Sequence, residues 1–387
     1  MFWFSLFAGI VAVLGIVQAL SGLRAVRRFR IRTIEPAHYA LPGVTILKPL
    51  HGDEPLLEEA LTSFCAQDYP CYQIVFGVQD PTDPALHVVR RLQKLFPERD
   101  IAVVVNETLH GVNRKIGNLI NMYPAARHDV VVIADADVHV AADYLRRVVA
   151  ALDVTGTGLV TTIYTGLPVR DGLATWLGAS QISHSFLPGA LMARGLGRQD
   201  CLGATMALRR ETLLAIGGFA ALADHLADDA MLGRLVGGRG LSIGLASTVP
   251  ATTVAETSIR ALFHHELRWA RTIHSITPLG FALSAIQYPI FWALLAVLAS
   301  GGDPLFDVLF ATTWMVRAGA ARRIDRYLGV GSAVPSWMLP LRDLVSVLVM
   351  VASYRGDHVR WRGQVLRADR RRYQAAVYTA AERINAI

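Results

Sequence analysis

Cysteine is scarce. The chain has three in 387 residues, Cys65, Cys71 and Cys201, and no CxxC pair. That is too few for a disulfide framework and wrongly spaced for zinc, and it suits a reducing compartment. No GxGxxG follows the first predicted strand and no Walker loop occurs. These absences exclude a dinucleotide fingerprint and a P-loop. No nucleic-acid motif accompanies the net charge of +7, and basic charge alone is poor evidence for nucleic-acid binding. The first apolar run is expected to be an uncleaved anchor, not a cleavable leader. The first basic residues follow the first apolar run instead of preceding it, and no small-residue cleavage site closes it.

Apolar residues are abundant, at 53% of the chain with a mean hydropathy of +0.37. They are unevenly placed. Residues 2–20 form an almost uncharged run of spanning length. Arg24, Arg27, Arg28, Arg30 and Arg32 follow it, so this flank is expected in the cytoplasm. Residues 279–300 are a second apolar block. Residues 304–320 hold Asp307 and Arg317, and residues 337–354 hold Arg342-Asp343. An adjacent Arg-Asp in such a segment should face protein or water, not lipid. The loop with Arg322, Arg323 and Arg326 and the tail with Arg360, Arg362, Arg367, Arg370, Arg371 and Arg372 both read as cytoplasmic. One span between them cannot satisfy both, which leaves a re-entrant last segment open. The juxtamembrane arginines also favour anionic lipid. The expected division is an anchor at 1–22, a basic linker at 23–40, a cytosolic domain at 41–278, about three membrane helices at 279–354, and a basic cytosolic tail at 355–387.

Within 41–278 the pattern alternates. Residues 44–49 read as a strand ending at Lys48-Pro49, and 54–65 have helical spacing, with Leu57, Leu61 and Phe64 on one side. Residues 73–78 form a second strand ending at Gln79-Asp80, 84–96 a helix, 101–105 a strand, and 115–122 a helix. The run VVVIADADV from Val130 to Val138 is a strand with no polar alternation, as in a parallel sheet buried on both faces. The fold class is therefore α/β, a doubly wound and mostly parallel sheet, with ligands at the carboxyl ends of the strands. Lys48, Asp80 and Asp135 fall at such ends. Asp135 and Asp137 form a DxD pair. Such oxygens hold a hard divalent cation, which in turn holds a diphosphate. Read without that function, the pair is a solvated acidic turn.

The ordered motifs are ILKPLHGDEP at 46–55, FGVQDPTDPA at 76–85, GVNRKIGNLINM at 111–122 and IADADV at 133–138. LGATMALRRETL at 202–213, GGF at 217–219, ADDAMLGRLVGGRG at 227–240 and HHELRWART at 264–272 follow. In this order the chain resembles the GT-A inverting glycosyltransferases. Among these it is similar to the membrane-bound ceramide glucosyltransferase family and its bacterial hopanoid-biosynthesis relatives. The resemblance implies a GT-A domain, a UDP-sugar donor, Mg²⁺ or Mn²⁺, a membrane lipid acceptor and no nucleic acid. It also implies a bacterial inner membrane location, with the catalytic domain on the cytosolic side.

By this resemblance Asp80 contacts the uracil, although Asp before Pro81 also suits a turn. Lys48 approaches the nucleotide or is a solvated strand end. Lys115, near a helix start, attracts diphosphate, while Asn113 reads equally as an N-cap. Asp135 and Asp137 address the diphosphate and metal, Asp137 most directly, and His139 is a weaker auxiliary candidate. Asp229 matches the catalytic base. Asp228 stands before it where relatives carry Glu, and both also suit the first turn of a helix. Arg268 and Trp269 match the family's [Q/R]xxRW, Arg268 for diphosphate and Trp269 for the acceptor or sugar. His265 replaces the usual Gln or Arg. An Arg-Trp near a membrane also serves as an interfacial anchor. Residues 175–196 read as a membrane-facing lip or a plain buried helix.

The implied reaction moves N-acetylglucosamine from UDP-N-acetylglucosamine to a hopanoid polyol such as bacteriohopanetetrol. Transfer from UDP-glucose to ceramide is the alternative. A processive polysaccharide synthase calls for more spans and Gln at position 265. A transporter or receptor calls for polar motifs within the spans, whereas here they sit in the soluble block.

Overall fold

The computed structural model describes residues 1–31, 41–330, 334–356, 358–361 and 364–367. It contains two compact units, each taken by itself below.

The first unit draws its described residues from 41–169 and 197–255. Its main sheet has seven strands: β1 (Val44–Pro49), β2 (Tyr72–Val78), β3 (Asp100–Val105), β4 (Val130–Ala134), β6 (Thr157–Thr161), β8 (Thr205–Arg209) and β9 (Ser242–Leu245). Their order is β3-β2-β1-β4-β8-β6-β9. A smaller sheet sets β5 (Val138–His139), β10 (Ala251–Val254) and β7 (Thr165–Pro168) side by side in that order. Helices α2 (Leu57–Cys65), α3 (Ala85–Leu95), α4 (Arg114–Met122), α5 (Tyr144–Leu152), α8 (Arg210–Ala215) and α9 (Asp228–Gly237) complete the unit.

Strands β1, β2 and β4 are buried at every residue, as predominantly apolar strands of a parallel sheet should be. They pair in parallel, with Val44 opposite both Tyr72 and Val130. Their carboxyl ends therefore finish nearly level, and that places the candidate site. The expectation of a mostly parallel sheet holds from β3 to β4. Strand β8 is the exception, antiparallel to both β4 and β6, while β6 and β9 again pair in parallel. The sheet is mixed and parallel-rich.

The second unit is helical and draws on 1–31, 170–196 and the described residues from 256 on. It comprises α1 (Phe2–Ile31), α6 (Leu173–Ser180), a π-helical stretch (Gln181–Phe186), α7 (Leu187–Gly195), α10 (Ile259–Ile276), α11 (Pro278–Leu283), α12 (Pro289–Ser300), α13 (Pro304–Leu328) and α14 (Leu339–Ser353). A hairpin of β11 (His358–Trp361) and β12 (Gln364–Arg367) follows. Residues 170–196 and 256–278, expected in the cytosolic domain, thus group with the helices.

Helix α1 continues through Arg24, Arg27, Arg28 and Arg30. Those arginines were expected in a linker, but arginine is a good helix former and suits a helix C-terminus. The remainder of that linker, 32–40, and the tail beyond 367 lie outside the described residues. One face of α1 is built on glycine. A Cβ on Gly15 would sit 2.5 Å from the Ile286 carbonyl oxygen, and one on Gly22 would sit 2.8 Å from Pro188 Cβ. Small residues allow this close approach. The other face, with Trp3, Phe7, Ile10, Val13 and Val17, is exposed.

Among the described residues, two helices are long and apolar enough to cross a membrane, Phe2–Arg30 and Ser336–Ser353. A third span arises only if Pro278–Gln287 and Pro289–Ser300, bent by 67°, count as one. The expected set of about three C-terminal spans is therefore reduced. Helix α13 is not among them; it carries Asp307 and Arg317 within its apolar stretch and Arg322, Arg323, Asp325 and Arg326 beyond it.

Arg342 and Asp343 face protein, as an adjacent pair in an apolar segment should, and both are fully buried. Arg342 donates to both oxygens of Glu266, at 2.8 and 2.7 Å, joining α14 to α10. Asp343 accepts from Arg317 at 2.9 Å and from the Ile290 amide at 3.0 Å, joining α14 to α13 and to the start of α12. Removing one member of a buried pair strands the other's charge. Arg342→Met is expected to cost about 3–5 kcal/mol, and adding Glu266→Met should recover much of it. Unfolding of the two variants in detergent checks this. Equal stability of Arg342→Met and wild type would refute the clamp.

Candidate active site

Lys48 ends β1, Asp80 follows β2 and Asp135 follows β4, so the level strand ends bring all three to one edge of the sheet. Lys48 does not reach outward as expected. It is fully buried, its Nζ lies 3.8 Å from the centre of the Phe64 ring, and it donates to the Asp135 carbonyl at 2.5 Å. Burial pulls its pKa down to about 7, with Asp137 and Asp135 opposing. Its place is beneath the DxD turn, as a tether. Asp80 is exposed, and its Oδ1 accepts from the Thr82 amide at 2.7 Å and the Thr82 hydroxyl at 2.6 Å. Those two bonds hold its carboxyl below the usual range and make it a turn residue at the rim.

Lys115 is the hub. Helix α4 starts at Arg114, capped by Asn113, whose side chain accepts from the Ile116 amide at 3.2 Å. The same side chain donates to the His225 carbonyl at 2.8 Å. Gly111, at φ +69°, brings the preceding turn so close to Ala223 that a Cβ would lie 2.6 Å from the Ala223 carbonyl oxygen. The α4 start is thus fastened to the loop that opens α9. Asn118 donates to the Gly77 carbonyl at 2.7 Å and anchors α4 to β2. Held this way, Lys115 Nζ lies 2.7 Å from Asp135 Oδ1 and 3.4 Å from Asp228 Oδ2. Burial works against its charge, but Asp135 and Asp228 outweigh that and hold it well above the usual lysine range.

Asp137 is placed by the small sheet. Its Oδ2 accepts from the Thr252 hydroxyl at 2.6 Å, and its carbonyl accepts from the Thr253 amide at 3.0 Å. Burial and the neighbouring Asp135 raise its pKa, with Thr252 and Lys48 opposing. His139 bonds Thr253 Oγ1 at 2.9 Å.

Asp229 lies in the first turn of α9, where its Oδ1 accepts from the Ala230 amide at 2.7 Å. Burial raises its pKa to about 6 and the Asp228 charge adds to that, against the Ala230 amide and Lys115. Gly203 backs onto it, and a Cβ there would lie 3.2 Å from Asp229 Oδ2. Tyr164 was missed in the sequence. It follows β6, and burial together with the charges of Asp229, Asp135 and Asp137 raises its pKa. Thr252 was missed as well. Neither has a motif around it, and no local pattern marks either one.

Arg268 and Trp269 lie on α10 in the helical unit, both half-buried. The His265 ring meets Trp269 edge-on, with centroids 4.5 Å apart, and its Nδ1 hydrogen-bonds Glu256. Burial would raise the Glu256 carboxyl, but His265 outweighs it and lowers the pKa. Glu256, too, was missed. Its partner lies nine residues away across a helix start, which no local pattern reveals.

Asp135 and Asp137 offer carboxylate oxygens only, a donor set for a hard cation. Among the described residues no group of three or more His, Cys, Asp or Glu is gathered to enclose a metal. The pair therefore fits a cation completed by ligand oxygens and water, the way Mg²⁺ is usually bound.

The chain belongs to glycosyl transferase family 21, whose profile matches residues 7–373. It is 25% identical to ceramide glucosyltransferase 1 of Caenorhabditis elegans over 285 residues, 72% of this chain and 59% of that protein. It is 33% identical to the ceramide glucosyltransferase of Komagataella phaffii over 131 residues, 33% of this chain and 26% of that one. It is also 23% identical to the beta-monoglucosyldiacylglycerol synthase of a Nostoc species over 359 residues, 92% and 72% of the two chains. The chain thus spans only part of the ceramide glucosyltransferases it matches. Among solved structures, a mannosyltransferase from Pyrobaculum calidifontis aligns with 97% of this chain and 98% of its own at 18% identity and a TM-score of 0.45.

The carboxylates give a direct test. Asp229 is expected to titrate near pH 6. Asp228→Asn removes a neighbouring negative charge, so the Asp229 midpoint should fall. Carboxyl-carbon NMR of selectively labelled protein reads both values, and an unmoved midpoint would show that the Asp228 charge does not set it.

Proposed function

We propose that this chain is a membrane-bound inverting glycosyltransferase that transfers a sugar from a UDP-sugar to a lipid hydroxyl. The observation that carries this reading is Lys115 between Asp135 and Asp228 at the strand ends, with the raised Asp229 beside them. Family membership supports sugar transfer. The names of the ceramide and diacylglycerol relatives support a lipid acceptor, and the apolar α1 and α14 support a membrane location.

In this reading the donor's diphosphate sits by Lys115 and the α4 N-terminus, with Asp80 at the uracil end. Asp135 and Asp137 would hold Mg²⁺ or Mn²⁺, which would offset the negative charge that develops on departing UDP. Asp229 takes the acceptor proton as the lipid oxygen attacks the anomeric carbon. A carboxylate with a pKa near 6 is mostly ionised at neutral pH yet more basic than an ordinary aspartate. Asp228 sustains that pKa, and Lys48 holds the DxD turn from below. By their match to the [Q/R]xxRW motif, Arg268 is assigned to diphosphate and Trp269 to the acceptor or the sugar.

For the substrates, we favour N-acetylglucosamine transfer to a hopanoid polyol at a bacterial inner membrane, with the catalytic domain cytosolic. The support is the resemblance of the stretches LKPLHG, FGVQDP and ADHLADD to the hopanoid-associated branch. Glucosyl transfer to ceramide is the second reading, favoured by the named relatives.

Product mass spectrometry decides between them. Purified protein in lipid with Mg²⁺ would receive UDP-N-acetylglucosamine and UDP-glucose in competition, with bacteriohopanetetrol or ceramide. An N-acetylhexosamine on the polyol is expected. A hexose on ceramide moves the chain to the second reading, and no glycolipid from any pairing refutes lipid glycosylation for these substrates. Asp229→Asn is expected to lower transfer by about 10²–10⁴-fold while UDP-sugar binding, read by calorimetry, stays near wild type. Robust turnover in that variant would remove Asp229 as the base.

A further inference from the structure

The helical unit contains a polar notch of about 10 Å³, walled by α1, the π-helical stretch, α7, α13, Gln287 and the first residue of α14. That volume is the space one water or hydroxyl occupies. Its polar lining is Gln18, His184, Ser185, Gln287 and Arg317. Four observations bear on what it holds.

Arg317 is 5% exposed, yet its Nε has no hydrogen-bond partner. A buried unsatisfied donor in an apolar block calls for a ligand or an ordered water. The charges around the notch are already paired. Arg317 binds Asp343 at 2.9 Å and Ser185 Oγ at 3.3 Å, and His184 binds Asp325 at 2.7 Å. An anion would find no free positive charge there. The two carboxamides are under-used. Gln18 reaches only the Met192 sulfur at 3.9 Å, a weak acceptor, and the Gln287 side chain makes no hydrogen bond among the described residues. Finally, Gln18 precedes Arg24, the first of the α1 arginines, by six residues, which is about 9 Å along a helix. That depth lies just beneath the charged head-group level, where lipids carry hydroxyls, amides and esters. Ala320, Ile324 and Leu339 add apolar wall beside the polar groups.

We propose that this notch is a lipid-recognition subsite. It takes an uncharged hydroxyl or amide at the polar–apolar junction of one membrane lipid. The proposal rests on the reading of the chain as a membrane protein that handles lipids. Both an acceptor lipid and a resident bilayer lipid carry this chemistry.

The test uses the full chain in phosphatidylcholine nanodiscs doped with ceramide, diacylglycerol or phosphatidic acid, with retained lipid counted by native mass spectrometry. Wild type is expected to keep one ceramide or diacylglycerol in preference to phosphatidic acid. Gln18→Leu/Gln287→Leu should lower that occupancy at least about tenfold at an unchanged Tm. Ala320→Leu fills the notch without removing a polar group and should do the same, so the proposal does not hang on one variant's folding. A rise in acceptor KM alongside the loss identifies the lipid as the acceptor, and an unchanged KM identifies it as a resident lipid. Equal occupancy in wild type and both variants would overturn the subsite, as would preferential retention of phosphatidic acid. If no glycolipid forms but the occupancy pattern holds, the transferase reading fails and the subsite stands.

Discussion

The sheet unit depends on one cation. Four carboxylates, Asp135, Asp137, Asp228 and Asp229, come from the end of β4 and the start of α9, elements almost a hundred residues apart. Gathered without compensation, they would repel one another and lose their hydration together. Lys115 touches one carboxylate from each element. It can do so because Asn113, Gly111 and Asn118 fix the α4 start against both its neighbours. The lysine is therefore a structural bolt and a part of the candidate site at once. A bound divalent cation would relieve the same crowding of carboxylates.

The helical unit follows the same logic in drier surroundings. Arg342 has Glu266, Arg317 has Asp343, and Asp325 has His184. Asp343 also accepts the amide of Ile290 at the start of α12, so one carboxylate serves both a charge and an orphan helix donor. The price of a charge in an apolar block is a dedicated partner, and these partners come from distant helices. The polar groups thereby fix which helices sit side by side, a choice that apolar contacts among similar side chains would leave open.

Much of this was legible beforehand, for identifiable reasons. Strand β4 is a solid apolar run, β1 and β2 are interrupted only by Thr45, Lys48 and Gln73, and burial on two faces best tolerates that pattern, so they declared themselves. Arg342-Asp343 declared itself too, because a charged pair in an apolar segment has few places to go. What stayed hidden depended on pairing at a distance. The reversed direction of β8 leaves no mark in its own five residues. Tyr164, Thr252 and Glu256 acquire significance only from what the fold sets beside them. Lys48 misled because lysines at strand ends are usually solvated, and only the Phe64 ring and the Asp135 carbonyl make its burial tolerable. The α1 arginines misled in the opposite sense, because a run of positive charge is no obstacle to a helix.

Helix α1 invites one last consequence. Its hydropathy says anchor, but Gly9, Gly15 and Gly22 are shaped to fit Phe306, Pro289 and Pro188. An anchor is finished once it enters the bilayer, whereas this helix is finished only when its neighbours exist. On the ribosome α12 emerges roughly 250 residues after α1 ends, a delay on the order of ten seconds or more. For that interval Gly9 and Gly15 lack the residues they are fitted to. A helix made early is thus among the last to find its partners.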